Sequence, residues 1–329
     1  MNTEIFFISL PITFCVTLLM TKKLIPVLSK RKIGQKILEI GPNWHESKNG
    51  TPTMGGISFV FASLVAFALM LTIVGTQLEE REISIMINVF TYGLFNAIIG
   101  AIDDIAKIRK RKNEGLTPRG KLVLQSVASI LFLIMMKKTV GLSTALLIPF
   151  TKFQLELGFL YYVFAFFLLC GITNAVNLTD GIDGLASTCV MTVGAFFVFV
   201  SLTKTESASL SFLGGVLLGT SLAFLIYNLH PAKIFMGDTG SLFYGGLIVS
   251  SSFLLDSPLL VLLYGFCFLF EAISVIMQVT YFKITRGKRL FKMAPIHHHL
   301  EKIGFSEMKI VYVFGALSIL SCAVAYFGV

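Results

Sequence analysis

Ten apolar stretches, each near the length at which a helix crosses a bilayer, recur from one end of this chain to the other. Nothing else in the sequence constrains its fold as strongly. A hydrocarbon core is crossed by roughly 20 helical residues, and its lack of water forces every backbone N–H and C=O to find a partner within the protein. The stretches run from about Glu4 to Met20, Gly55 to Val74, Ile83 to Ile102, Leu122 to Met136, Leu157 to Ala175, Leu185 to Leu202, Leu210 to Tyr227, Leu242 to Leu255, Leu259 to Phe282 and Met308 to Phe327. A mean hydropathy of +0.82 and a charged fraction of 14% exclude a water-soluble globule, which would carry about a quarter charged residues. The sequence therefore predicts an all-α integral membrane protein of about ten transmembrane helices, with residues 1–329 forming a single polytopic domain. The eighth stretch is short and rich in Ser and Gly. Losing it would invert the orientation of everything after it.

The first stretch is expected to remain as a span. Its leading residues carry Glu4 and no positive charge, and Lys22 and Lys23 follow the apolar run instead of preceding it, which is the wrong order for a cleavable leader. The five cysteines all fall inside apolar stretches without a pairing pattern and read as small hydrophobes.

Charge placement orients the chain. The loops 21–54, 103–121 and 283–309 carry seven Lys and Arg each, and Lys233 adds one more; the alternate loops hold the remaining five, Arg81, Lys137, Lys138, Lys152 and Lys204. The positive-inside rule then places the first set in the cytoplasm and both termini outside. This asymmetry accounts for most of the net charge of +9. With no recognition motif and no aromatic-interleaved basic domain, the charge does not indicate a nucleic-acid partner. Asp and His partition in the same way, although no orientation rule requires it. Asp103, Asp104, Asp180, Asp183 and Asp238, with His45, His230, His297, His298 and His299, all fall in or beside the predicted cytoplasmic loops.

Five motifs concentrate this polar chemistry. Asp103 and Asp104 close the third span, where two adjacent carboxylates repel each other near the negative end of the helix dipole and call for a cation. Lys107, Arg119 and Lys121 follow within reach of phosphate oxygens. The run Asn174 to Gly184 reads as a loop dense in Asn, Asp and Gly, suited to turn tightly and to present amides and carboxylates to a nucleotide or a hard cation. The run Asn228 to Ser241 sets Asp238 between Gly237 and Gly240 ahead of the eighth span; Asp238 is the best single metal-ligand candidate, the ordinary alternative being that it caps that helix. Gly50-Thr51-Pro52-Thr53-Met54-Gly55-Gly56, preceded by Lys48, opens the second span, as Pro and Gly often do. Last comes Met293 to Glu301, which gathers His297, His298 and His299; nearby, Glu271 and Gln278 lie within the ninth span, and an acid at bilayer depth is a functional candidate unless it pairs with neighbouring polar groups. Carboxylates, lysines, imidazoles and flexible turns at one membrane face match Mg²⁺-assisted chemistry on a phosphate, with a lipid as one reactant.

In order and wording, these motifs resemble those of the phospho-N-acetylmuramoyl-pentapeptide-transferase branch of the polyprenyl-phosphate N-acetylhexosamine-1-phosphate transferases. The matching pieces are Gly50 to Gly56, the Asp103 pair, Asn174 to Ala186, Phe235 to Leu242 and Met293 to Glu301, and they span nearly the whole chain. The resemblance implies transfer of phospho-MurNAc-pentapeptide from UDP-MurNAc-pentapeptide to undecaprenyl phosphate at a bacterial inner membrane, with Mg²⁺ as cofactor and often a homodimer. It assigns Asp103, Asp104, Asp238 and His297 to catalysis, with Asp103 and Asp238 facing the metal. To substrate binding it assigns Lys48, Thr53, Lys107, Lys121, Asn174, Asn177, Asp180, Gly181, Asp183, Asn228, Phe235, Gln278 and His298. Direct attack of the lipid phosphate, with Asp103 as base or orienting group, and a covalent intermediate on an aspartate both stay open at this point. So do a sibling transferase that uses UDP-GlcNAc and, from another class, a secondary transporter.

Overall fold

A computed structural model describes residues 2–30, 48, 50–110, 115–255 and 257–329. His45 lies outside the described residues. Twelve α-helices and one small hairpin appear in the order α1 (Asn2–Lys30), α2 (Gly56–Val74), α3 (Glu80–Lys110), α4 (Pro118–Met135), β1 (Ala145–Leu147), β2 (Gln154–Glu156), α5 (Phe159–Thr179), α6 (Leu185–Val200), α7 (Ala208–Asn228), α8 (Gly237–Ser251), α9 (Val261–Tyr264), α10 (Phe266–Ile284), α11 (Ile296–Lys302) and α12 (Glu307–Phe327). Several helices start where the sequence offers an N-cap hydroxyl: Thr117 for α4, Ser207 for α7 and Ser306 for α12 each accept from a backbone N–H of the first turn.

Among the described residues, nine helices are long and apolar enough to cross a membrane. The predicted eighth span is not among them by length, yet it is helical. As α8 it has 15 residues and continues in a 3₁₀ turn to Leu254, together about 28 Å at the usual rises per residue. Its first turn meets the ends of α3 and α5, while past its other end Ser257 Oγ donates to the carbonyl of Leu147 in the hairpin that joins α4 to α5. It therefore runs from one face to the other. Every residue from Thr239 to Ser251 is buried. A helix with no lipid contact needs small residues for close approach more than it needs hydropathy, which is why Ser and Gly suffice.

Helix α3 packs along α8 and is fastened at both ends. Near its start, the Glu82 carboxylate accepts from Ser209 N (2.9 Å) and the Ser207 and Ser209 hydroxyls, sealing the N-terminus of α7. Near its end, Asp104 does the same for α8. Stacked rings of Phe59 and Tyr244, 4.3 Å between centroids, join α2 to α8 in the interior. The outer surface is as apolar as the core: Ile98, Val123, Phe167 and Ile276 all point outward. That is what a hydrocarbon solvent requires.

Three expectations change. The ninth stretch is interrupted, because Gly265 separates α9 from α10. The third helix runs past Ile102 to Lys110, so Asp103, Asp104 and Lys107 stand on continuous helix. The loop expected over 174–184 is mostly helix: α5 continues to Thr179, leaving Asp180 to Gly184 as the turn. Tertiary partners override the local turn preference of Asn174 and Asn177, since each amide is hydrogen-bonded to a neighbouring helix.

Candidate active site

The described parts of the α1–α2, α3–α4, α5–α6 and α7–α8 connections bring polar side chains together at one end of the bundle. One turn separates Asp103 from Lys107 on α3, so they share a face, with Lys107 Nζ 2.7 Å from Asp103 Oδ2. The same ammonium is 3.1 Å from Asp238 Oδ1 and 4.0 Å from Asp104 Oδ1. From α4, Lys121 Nζ reaches Asp238 Oδ2 at 2.6 Å and donates to Asn177 Oδ1 at 3.2 Å. Asn177 Nδ2 in turn donates to Ser241 Oγ (2.7 Å) and to Asp238 Oδ1 (3.3 Å). Asp238 is thus the hub on which α3, α4 and α5 converge.

Asp104 has another task. Its Oδ1 accepts from Asp238 N at 3.1 Å, and its Oδ2 from Thr239 N at 2.9 Å and Thr239 Oγ1 at 2.7 Å. A buried carboxylate on α3 therefore caps α8, satisfying donors that a helix start leaves unpaired. The sequence allowed Asp238 to be that cap; the structure gives the role to Asp104 and leaves the Asp238 side chain to the site. The close approach depends on glycine. A methyl at Gly100 would drive into the Asp238 carbonyl and Thr239 nitrogen, and Gly237, at φ +70°, leaves space beside Asp104 Oδ2 and Thr53 Oγ1. Thr53 reaches this corner because its segment pairs with the one before α8, through Phe235 N to Pro52 O (2.8 Å), Gly55 N to Phe235 O (2.8 Å) and Gly56 N to Met236 O (2.9 Å). Gly115 is likewise packed on the Asp103 carboxylate, whose Oδ1 accepts from Leu116 N at 2.8 Å.

A second cluster forms around Asp183. Lys48 Nζ bridges Asp183 Oδ1 and Glu307 Oε2, both at 2.7 Å, and His230 Nδ1 lies 3.0 Å from Asp183 Oδ2. The backbone N–H of Ala232 also donates to Asp183, and that of Asp183 to Glu307. Glu307 was missed in the sequence. Its signal was an acid directly after the capping Ser306, which reads as ordinary first-turn helix chemistry.

Asp180 and Gly181 occupy the turn between the clusters. Burial pushes the Asp180 carboxyl up from 3.8 to about 8, with the carboxylates of Asp238, Asp104 and Asp183 adding to the rise and Lys107 opposing it. Gly181 is packed against the His297 ring. His298 Nδ1 pairs with Glu301 Oε2 at 2.7 Å, and Gln278 Oε1 accepts from Phe291 N at 2.8 Å, folding the preceding loop onto α10. Two expected binding residues also make internal hydrogen bonds: Asn174 is paired with Gln125 of α4 and the Cys170 carbonyl, and buried Asn228 bridges Ser187 and the Ile234 carbonyl. They fix the helices that carry the site.

The donor set suits a hard divalent cation. Ligand oxygens of Asp103, Asp104 and Asp238 lie within 4.8 Å of one another, and Lys107 already places positive charge among them. Asp104 is committed to the backbone of α8, whereas Asp103 Oδ2 and Asp238 Oδ2 face lysine ammonium groups, positive charges whose place a cation can share.

The Glycosyl transferase family 4 model matches residues 86–256, and the phospho-N-acetylmuramoyl-pentapeptide-transferase signature 1 matches residues 48–60. Curated relatives align over almost their whole length. A phospho-N-acetylmuramoyl-pentapeptide-transferase of Clostridium perfringens is 42% identical over 96% of both chains, and one of Clostridium acetobutylicum is 42% identical over 97% of both. One of Oceanobacillus iheyensis is 38% identical over 95% of this chain and 94% of its own.

Proposed function

Because the chain belongs to the phospho-N-acetylmuramoyl-pentapeptide-transferase family, we propose the following division of labour among its residues. This multi-pass bacterial membrane protein transfers phospho-MurNAc-pentapeptide from its UDP carrier to undecaprenyl phosphate, forming lipid I and UMP for peptidoglycan. An oxygen of the lipid phosphate attacks the β-phosphorus of the UDP-sugar; the bond from that phosphorus to UMP breaks, and UMP leaves with the electron pair. A phosphate monoester loses its second proton near a pKa of about 6. The nucleophile is therefore mostly dianionic near neutrality, and the obstacle is repulsion between two anions more than a missing base. Lys107 and Lys121, held by Asp103, Asp238 and Asn177, meet that need.

Both Asp103 oxygens are engaged, by Leu116 N and Lys107 Nζ, which favours an orienting role for Asp103 and direct displacement over a covalent aspartyl intermediate. Asp103 and Asp238 would hold Mg²⁺, which when bound withdraws charge from the diphosphate oxygens. Lys48, Asp183, His230 and Glu307 form the adjoining polar wall for the nucleotide. With 22 of 27 basic residues in the sequence segments that join the apolar stretches on the side of Asp103 and Asp238, the site faces the cytoplasm.

The observation that carries this reading is the convergence of Asp103, Asp238, Lys107 and Lys121 from three helices at one end of the bundle. A transporter would gather such groups nearer the midplane. Purified protein is expected to release UMP only when UDP-MurNAc-pentapeptide, undecaprenyl phosphate and Mg²⁺ are all present. Release that persists after chelation would remove the metal from the scheme, and preference for UDP-GlcNAc in a donor competition would move the chain to the sibling transferases. Assembly as a homodimer is read from the mass of the detergent-solubilised protein.

Proton linkage follows from Asp180. A carboxyl whose pKa is raised from 3.8 to about 8 binds its proton in the folded, ligand-free protein across that window. Its contribution to stability is fully present below the unfolded value and is lost as pH rises through the folded one. A cation held by Asp238 would offset carboxylate charge that keeps the Asp180 proton bound, so apparent Mg²⁺ affinity is expected to rise between pH 6 and 8, by at most about tenfold per pH unit for one proton. Midpoints of Mg²⁺-induced thermal stabilisation at pH 6, 7 and 8 read this directly. In Asp180→Asn the slope should flatten; an unchanged slope would assign the proton elsewhere.

A further inference from the structure

Glu271 and His297 are both 0% exposed and are the least explained polar pair in the molecule. His297 Nδ1 lies 3.0 Å from Glu271 Oε2, an ion-pair distance, although its N–H is not aligned well enough to count as a hydrogen bond. The same oxygen is 3.5 Å from the His297 backbone nitrogen, in the first turn of α11. Two atoms of the pair have no partner at all: Glu271 Oε1 and His297 Nε2. On the side away from Glu271, Nε2 abuts Gly181 so closely that a methyl there would overlap it. The ring is thus clasped between a carboxylate of α10 and the turn that carries Asp180.

Such a pair is hard to explain as a stabilising device. Buried ion pairs are often no better for stability than apolar residues of the same volume, and each unpartnered buried polar atom adds a cost of about 1–3 kcal/mol. What the arrangement does supply is direction. A carboxylate at Nδ1 selects one ring orientation and one protonated nitrogen, as carboxylates do behind other functional imidazoles, and leaves the second nitrogen as the working atom.

We propose that Glu271 is a positioning residue, which fixes the His297 imidazole so that Nε2 is presented beside the Asp180–Gly181 turn to an anionic oxygen of the diphosphate substrate. The assignment rests on the reading of the neighbouring cluster as the transferase site. Glu271 is the carboxylate beside the ring among the described residues. The small Gly181 is then required for reach: it lets the imidazole edge come up to the turn, where any side chain would fill the gap.

The test uses full-length protein in detergent or nanodiscs with UDP-MurNAc-pentapeptide and undecaprenyl phosphate. Glu271→Gln keeps the shape and removes the charge. It is expected to lower kcat by about ten- to a hundredfold, the usual range for a residue that orients a functional imidazole, with KM for the UDP-sugar much less affected. In ¹⁵N spectra of histidine-labelled protein, assigned with His297→Asn, the Nδ1 resonance of His297 should shift. The double variant Glu271→Gln/His297→Asn should be little worse than His297→Asn alone. Gly181→Ala, which leaves Glu271 intact and presses the ring from the other side, should also lower kcat, and it serves as the second probe if Glu271→Gln folds poorly. Full kcat with an unmoved His297 resonance in Glu271→Gln, while His297→Asn is impaired, would overturn the inference. So would fully additive losses in the double variant, or Gly181→Ala retaining normal kcat. If His297→Asn itself keeps normal turnover, the fault lies with the reading of the site that includes His297, a distinct result.

Discussion

Asp238→Asn is expected to lower UMP release by about 10²–10³-fold or more, the scale on which one preorganised electrostatic group acts in other active sites, while leaving the folded protein intact. The substitution keeps the volume and the hydrogen bond from Asn177 but removes the charge that faces two ammonium groups, at 2.6 and 3.1 Å. Lys107 retains Asp103, whereas Lys121 keeps only Asn177 among the described residues, so the lysines should no longer be held at one point. Capping of α8 should survive, because Asp104 binds the backbone of residue 238 and not its side chain. Two measurements separate the roles: turnover under saturating substrates, and the thermal shift produced by Mg²⁺ alone. Both should collapse in Asp238→Asn. A variant that keeps its Mg²⁺ shift and turns over within tenfold of the parent would show that Asp238 is not the hub.

The second large effect is steric. Gly100→Ala adds one methyl where α3 crosses the start of α8, and the atoms it meets are the carbonyl of Asp238 and the nitrogen of Thr239. A side chain could turn away; backbone at the root of a buried helix cannot. Overpacking of this kind costs about 1–3 kcal/mol and at times more. Here the strain would be relieved by lifting α8 away from Asp104, spoiling the cap and the position of Asp238 together. The expected result is a lower melting temperature and at least a tenfold loss of turnover from a single methyl. Gly171→Ala on α5 is the control, since a methyl there meets nothing within 4 Å and the gain in helix propensity is slightly favourable. Equal behaviour of the two variants would refute the close crossing.

Much of this molecule is legible in its sequence because a bilayer leaves few choices. Hydropathy alone locates the long helices, and the placement of lysine and arginine sorts their connections into two sets. The residues of the central cluster were legible too: Asp103, Lys107, Lys121, Asn177 and Asp238 all sit in the motifs singled out at the outset, and they meet in space. Roles were harder to see. Asp103 and Asp104 are neighbours of the same type, yet a rotation of about 100° per residue on a helix sends one toward the lysines and the other toward α8. Asn174 and Asn228 are assigned to ligand binding by the resemblance, and only packing reveals that they also hydrogen-bond to Gln125 and the Ile234 carbonyl. Glu307 was invisible for the opposite reason, being one acid at the ordinary start of a helix until Lys48 arrives from more than 250 positions earlier. Pattern reports what is local, and these assignments are made by contacts far apart in the chain.

The full enclosure of α8 has a consequence for biogenesis. A segment this rich in Ser and Gly has little affinity of its own for lipid when it leaves the ribosome. Its entry must be driven by partners that are already in place, above all α3, whose two ends carry Glu82 and Asp104. Asp238 therefore reaches the site late in synthesis, after the seven preceding helices have assembled a slot for α8, and an intermediate that stops short of it would be a membrane protein without an enzyme.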